Sequence, residues 1–166
     1  RFGTIRGWGR HFVARPETGE PFFERMTVRR RPTDAQGRPY RPGFKTAHRA
    51  TPDVVVTRGN HNAFGRGLTP LREWKPCEVF HFPIRTQLQM ERKFLRLVTS
   101  LGEHPGSRHE RDTARAIQAE SGAGVFAEFL VDDSALAAGL RDGSLEEDVR
   151  LRDALRDPAL SRQRPS

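Results

Sequence analysis

The chain has 166 residues, 35% of them hydrophobic and 30% charged, with a mean hydropathy of -0.71, which is enough for one ordinary domain with a modest core. Its formal net charge of +8 is uneven: residues 1–100 carry 20 Lys and Arg against 8 Asp and Glu, and residues 101–166 carry 9 against 13. No apolar run reaches membrane-span length, the single cysteine excludes an internal disulfide, and the basic first part points to an anionic partner, although arginine, 26 of the 29 basic residues, is equally the mark of a compositional bias.

The opening "FGTIRGWGRHFVAR" alternates loosely and predicts one or two strands broken at Gly7 and Gly9. "PETGEPFFERM" follows as a turn and a short segment with paired aromatics. Arg29 to Phe44, "RRRPTDAQGRPYRPGF", has almost nothing to bury and predicts a long loop. A short strand is expected around Lys45 to His48, then a turn at Pro52, a β-branched run Val54 to Thr57, and a glycine-bounded turn holding Asn60 and His61. "CEVFHFPI" predicts a buried strand in which Cys77 is a small buried hydrophobe.

Past Pro83 the period changes from two to about 3.6, and Phe94, Leu97, Val98 and Leu101 share one face of a helix starting near Thr86. Capping boxes at Ser107 with Glu110 and at Ser144 with Glu147 predict two further helix starts. Gly143 closes the helix "SALAAGLRD", and Asp132 and Asp133 suit its dipole at the other end. The expected layout is 1–101 as the strand-rich body, 102–156 as a helical extension and 157–166 as a frayed tail.

His48, His61 and His81 each fall near a strand end, where an imidazole can meet an ion. Hydrogen bonding within the fold is the better account of His48, capping of a turn competes evenly with function for His61, and solvated positions suit His104 and His109. Arg85, Gln89 and Lys93 stand at i, i+4 and i+8, successive turns of one helix face that could converge on an extended anion, against the simpler reading of a solvated edge. Glu24 suits a general base if desolvated, and a surface Glu–Arg pair otherwise. Phosphate-cradling glycine loops, Cys-x-x-Cys, Gly-x-Ser-x-Gly, His-Glu-x-x-His and Asp-x-Asp are all absent from the sequence.

"PFFERM", "KTAHRATPDVVV", "GNH" and above all "HFPIRTQLQMERK" resemble the C-terminal part of a bacterial branch of the family 2 glycosyltransferases, in which a His-Tyr/Phe-Pro-x-Arg-Ser-x-x-Gln-x-x-x-Lys signature follows a Gly-x-His turn. The likeness covers most of residues 12–156, with Thr86 standing where serine is expected. It implies an α/β fold of the GT-A type, α+β in this fragment, whose Asp-x-Asp half lies upstream of Arg1. It implies sugar transfer from a nucleotide-sugar donor to a glycan or other acceptor, with Mg²⁺ or Mn²⁺ on the diphosphate. Carried over, His81 or His61 completes the metal shell or meets the departing diphosphate, Arg85, Gln89, Lys93 and Lys45 bind substrate, and Glu24 is the base. A cytoplasmic or membrane-peripheral location goes with this reading, and nucleic acid is not an expected partner. Two rivals come from other classes: a basic nucleic-acid-binding module, and a metal-dependent hydrolase built on His48, His61 and His81 with Asp53, Glu73 and Glu78.

Overall fold

Eight residues, Thr4–His11, form the central strand β1 of a three-stranded mixed sheet. The computed structural model describes residues 3–31, 43–71, 75–101, 108–119 and 122–157. Strand β1 runs unbroken through both glycines expected to interrupt it, because its neighbours come too close for side chains there. A Cβ on Gly9 would stand 2.5 Å from the Gly43 carbonyl oxygen, and one on Gly7 would stand 2.9 Å from Cys77 Sγ.

After β1 the order is α1 (Phe22–Arg25), β2 (Val28–Arg30), β3 (Lys45–His48), β4 (Val55–Val56), a 3₁₀ turn at Arg58–Asn60, β5 (Ala63–Phe64) and β6 (Cys77–His81). Helices then dominate: α2 (Gln87–Leu101), α3 (Arg108–Ala119), α4 (Gly122–Phe129) and α5 (Asp133–Asp142), followed by β7 (Leu145–Glu147) and α6 (Arg150–Arg156). The fold is α+β, with strands crowding the first half and helices the second. Strand β3 pairs antiparallel with one edge of β1, and β6 pairs parallel with the other, with Gly7 opposite Cys77 and His11 opposite His81.

Three expectations need correction. Arg29 and Arg30 belong to β2 rather than to a loop, because β2 pairs antiparallel with β7, Val28 opposite Glu147 and Arg30 opposite Leu145. The same pairing overrides the capping box at Ser144: residues Leu145–Glu147 are extended, and the helix starts only at Arg150. Cys77 is exposed, since β6 is an edge strand whose first two residues face solvent and whose last three are only half-buried. The middle of the expected loop (32–42), Glu73, His104, the Ser107 box and the tail beyond 157 lie outside the described residues, and of His109 only the backbone is described.

Helix α2 starts at Gln87, next to the expected Thr86, and of its expected apolar face Phe94 is buried and Leu97 half-buried, while the side chains of Val98 and Leu101 lie outside the described residues. Met90 and Phe94 are buried with Ile84, Ala114, Val125 and Phe126 in the helical core. A second small core joins Val13, Val28 and Leu145. Strands β2 and β7 pair, and α2 packs on α3 and α4, so burial is continuous across the position near residue 101 where the body and extension were divided. Helix α5 ends on Gly143 at φ 78, and its N-cap Asp132 accepts from the Ala135 amide at 2.7 Å. No helix among the described residues is long and apolar enough to cross a membrane.

Candidate anion-binding site

The parallel register of β1 and β6 brings two imidazoles together. His11 and His81 are directly opposite, their ring centroids 4.6 Å apart in an edge-to-face arrangement. In a strand alternate residues share a face, so Ile5, Gly7, Gly9 and His11 lie on one side of β1 with Cys77, Val79 and His81 of β6 and Lys45 and Ala47 of β3. Gly7 and Gly9 keep the centre of that face low. The opposite face is anchored at the His11 end by apolar packing: Phe12, buried, stacks on Phe82 at 4.3 Å, and Phe22 of α1 meets Phe82 at 4.9 Å.

His61 reaches this face from the turn after the 3₁₀ segment. Glycines flank its ring on two sides: a Cβ on Gly43 would lie 2.7 Å from Cε1, and one on Gly59 would lie 2.8 Å from Nε2. Gly59 is also at φ 71, and Asn60 at φ 57, so the turn that presents the ring depends on left-handed backbone. The ring's Nδ1 donates to the Phe44 carbonyl at 2.7 Å, which in the neutral form leaves Nε2 as the acceptor nitrogen. The Nζ of Lys45 donates to the Gly59 carbonyl.

His81 is half-buried, and its Nδ1 is buried without a hydrogen-bond partner. Burial, followed by the positive fields of His11, Lys45, Lys93 and His61, pushes its pKa down to about 4. Burial, Lys45, Arg30 and His61 lower His11 as well. Lys45 and His61 contribute to the positive field at both rings. The site therefore holds back positive charge: two imidazoles kept neutral first by burial and then by the cations around them.

That arrangement has a measurable consequence for stability. Both imidazoles titrate lower in the folded chain than the ordinary 6.5, so between pH 6.5 and about 4 the unfolded chain binds more protons. Stability is expected to be full above pH 6.5 and to fall as the pH drops towards 4, by roughly 1 to 2 kcal/mol for His81 after allowance for its contact with solvent. Urea midpoints taken across that range for the wild type and for His81→Ala check this, and parallel losses in the two would count against it.

The polar row of α2 is spent mainly on local structure. Thr86 Oγ1 accepts from the Gln89 amide at 3.1 Å, and Gln89 Oε1 accepts from the Arg85 amide at 3.0 Å, a reciprocal cap that closes the strand-to-helix junction. Lys93 donates to the Pro83 carbonyl at 3.1 Å, and this holds its ammonium near His81. The Arg85 guanidinium instead lies over the Phe22 ring, 5.2 Å from its centroid. Of the three, only Lys93 joins the histidines. Glu24 does not join them either, since both its carboxylate oxygens accept from Arg156.

His48 points to the opposite sheet face with Thr46, and its Nδ1 donates to the Arg49 carbonyl at 3.1 Å. Asp53 accepts from the Arg66 amide, while Glu78 lies on that opposite face between Arg10 and Arg150. Among the described residues no group of three or more His, Cys, Asp or Glu is gathered to hold a metal ion. The positive field of two lysines at His81, with no metal-holding group among the described residues, favours an anion there over a divalent cation, so the described residues do not by themselves fit the Mg²⁺ or Mn²⁺ that the resemblance implies. His11 and Arg30 went unnoticed in the sequence. The only signal for His11 is its register with His81, which needs the parallel pairing to be known. Comparison with protein-family models, with curated proteins and with solved structures finds no match to this chain.

Proposed function

We propose that the chain forms the acceptor-side part of a glycosyltransferase, and that the face carrying His11, His81, Lys45 and Lys93 receives the diphosphate as it leaves the donor sugar. The observation that carries this reading is the unpartnered, buried Nδ1 of His81 beside His11, with Lys45 and Lys93 adding positive field. In such a transfer the bond from the anomeric carbon to the diphosphate oxygen breaks with both electrons going to oxygen, while the acceptor oxygen bonds to the carbon and loses its proton. Charge thus grows on the leaving group in the transition state, where preformed donors stabilise it most. A neutral His81 can donate one N–H to that oxygen, and the arriving negative charge raises its pKa towards proton uptake. Lys45 and Lys93 add positive potential without moving. Glu24 serves as the base for the acceptor only once Arg156 releases it.

The test is titration of the chain with inorganic pyrophosphate. Binding should weaken about tenfold in His81→Ala and in Lys45→Met, since one charge-assisted hydrogen bond is worth about 1.5 to 3 kcal/mol, and should be unchanged in His48→Ala on the other face. Absence of pyrophosphate binding, or equal loss in His48→Ala, would sink the reading. Retention on mixed-sequence DNA that falls steeply with salt, and that ignores His81→Ala, would favour the basic nucleic-acid-binding module instead.

A further inference from the structure

A second feature lies apart from the histidines. In the hairpin β4–β5, Val55 is 63% exposed, Val56 44% and Phe64 59%. Val55 stands opposite Phe64 and so shares its face, while Val56 lies on the other. A ribbon of two short strands has no layer of its own to bury such side chains, and a cluster of them in water marks a surface that meets something apolar.

The sequence flanking the hairpin is basic. Among the described residues 43–71 stand Lys45, Arg49, Arg58 and Arg66 against one acid, Asp53, whose carboxylate is engaged by the Arg66 amide at 2.6 Å. At the hairpin's base opens a cavity of about 310 Å³, lined by Thr4, Arg6, Thr46, Asn62 and Phe64 among others. Arg6 is half-buried there and donates to Asn62 Oδ1 through one of its nitrogens, while a guanidinium carries five N–H donors. Phe64 forms a wall of this cavity and is also one of the exposed apolar residues. An apolar patch and a guanidinium-lined cavity thus meet at one side chain.

We infer that this face docks on an anionic lipid bilayer, with Val55 and Phe64 entering the acyl boundary and Arg6 taking the phosphate of a lipid headgroup in the cavity. A soluble anion would use Arg6 and leave the two apolar side chains in water. A second copy of the chain would set one basic surface against another. A nucleic acid would want several stacking rings, and the hairpin offers one. Only an anionic membrane is complementary to both parts, apolar and cationic.

Co-sedimentation with vesicles of phosphatidylcholine alone, and of phosphatidylcholine mixed with phosphatidylglycerol, tests the inference. Partition onto the mixed vesicles should be tenfold to a hundredfold greater, the increment expected for two or three basic residues near an anionic surface. Phe64→Ser combined with Val55→Ser should lower that partition at least about tenfold, and Arg6→Gln should do the same, with circular dichroism unchanged because the replaced apolar side chains are solvent-exposed. Equal partition on both vesicles, no partition, or a double variant that binds like the wild type overturns it. So does a wild-type dimer in gel filtration that the double variant dissolves, since a second copy would then be what covers the patch.

Discussion

On the proposed transferase reading, replacing His81 with alanine in a protein that also carries a donor-binding half is expected to lower turnover about 10²-fold or more, the usual loss of roughly 3 to 4 kcal/mol when one donor to a developing oxyanion is removed. The melting temperature should barely move at pH 7. A histidine bonded into a core leaves an orphaned partner when it is removed, but the Nδ1 of His81 has no partner to orphan and the ring is only half-buried. Its position also argues that the loss will fall on kcat more than on KM, because the ring is neutral in the resting state and meets charge only as the bond breaks. Unchanged turnover, or a variant that unfolds while its folded fraction stays fully active, would assign His81 to packing.

A stability effect of similar size is expected on the opposite side of the molecule. The carboxylate of Asp148 is almost fully buried and accepts from Arg29 Nε at 2.7 Å and from Arg150 Nε at 2.8 Å. The Arg150 contact first, and Arg29 with it, hold its pKa at about 2 in spite of burial. Asp148→Asn leaves the buried Arg29 guanidinium with only its second partner, Glu146, and should cost roughly 3 kcal/mol in urea unfolding at pH 7. The folded pKa lies below the ordinary 3.8, so this contribution is complete above that value and is lost as the pH falls through 2. The Asn variant should lack that acid-dependent loss. A cost under about 1 kcal/mol would mean that Arg29 finds compensation in Glu146 alone.

The contrast between the two sites explains what could be read from the sequence. Helix α2, the Gly143 stop and the turn around His61 rest on local causes, namely period, left-handed backbone and capping, and these are written in neighbouring residues. The reciprocal cap at Thr86 and Gln89 was equally local, but its polar residues were read as a ligand-binding row because a cap and a binding row draw on the same side-chain types. What failed depended on distant partners. "SLEED" fits a helix start by itself and becomes a strand because β2 offers an edge where Arg29 can meet Glu146. Gly7 and Gly9 look like breaks until Gly43 and Cys77 are seen against them. His11 acquires its neighbour from a strand that begins 66 positions later, and no window along the chain contains both.

The pairing of β2 with β7 also sets a clock. Arg29 and Asp148 lie 119 positions apart, and Arg10 and Glu78 lie 68 apart, so the contacts that close the two sheets are among the most remote the chain can make. At a synthesis rate of about 5 to 20 residues per second, roughly 6 to 24 s separate the emergence of β2 from that of its partner. Throughout that interval Val13 and Val28 lack Leu145, and the edge of β2 offers unpaired backbone to any passing strand. Newly made chains are therefore most exposed to misassociation before β7 arrives, and a deletion that removes β7 would make that transient state permanent.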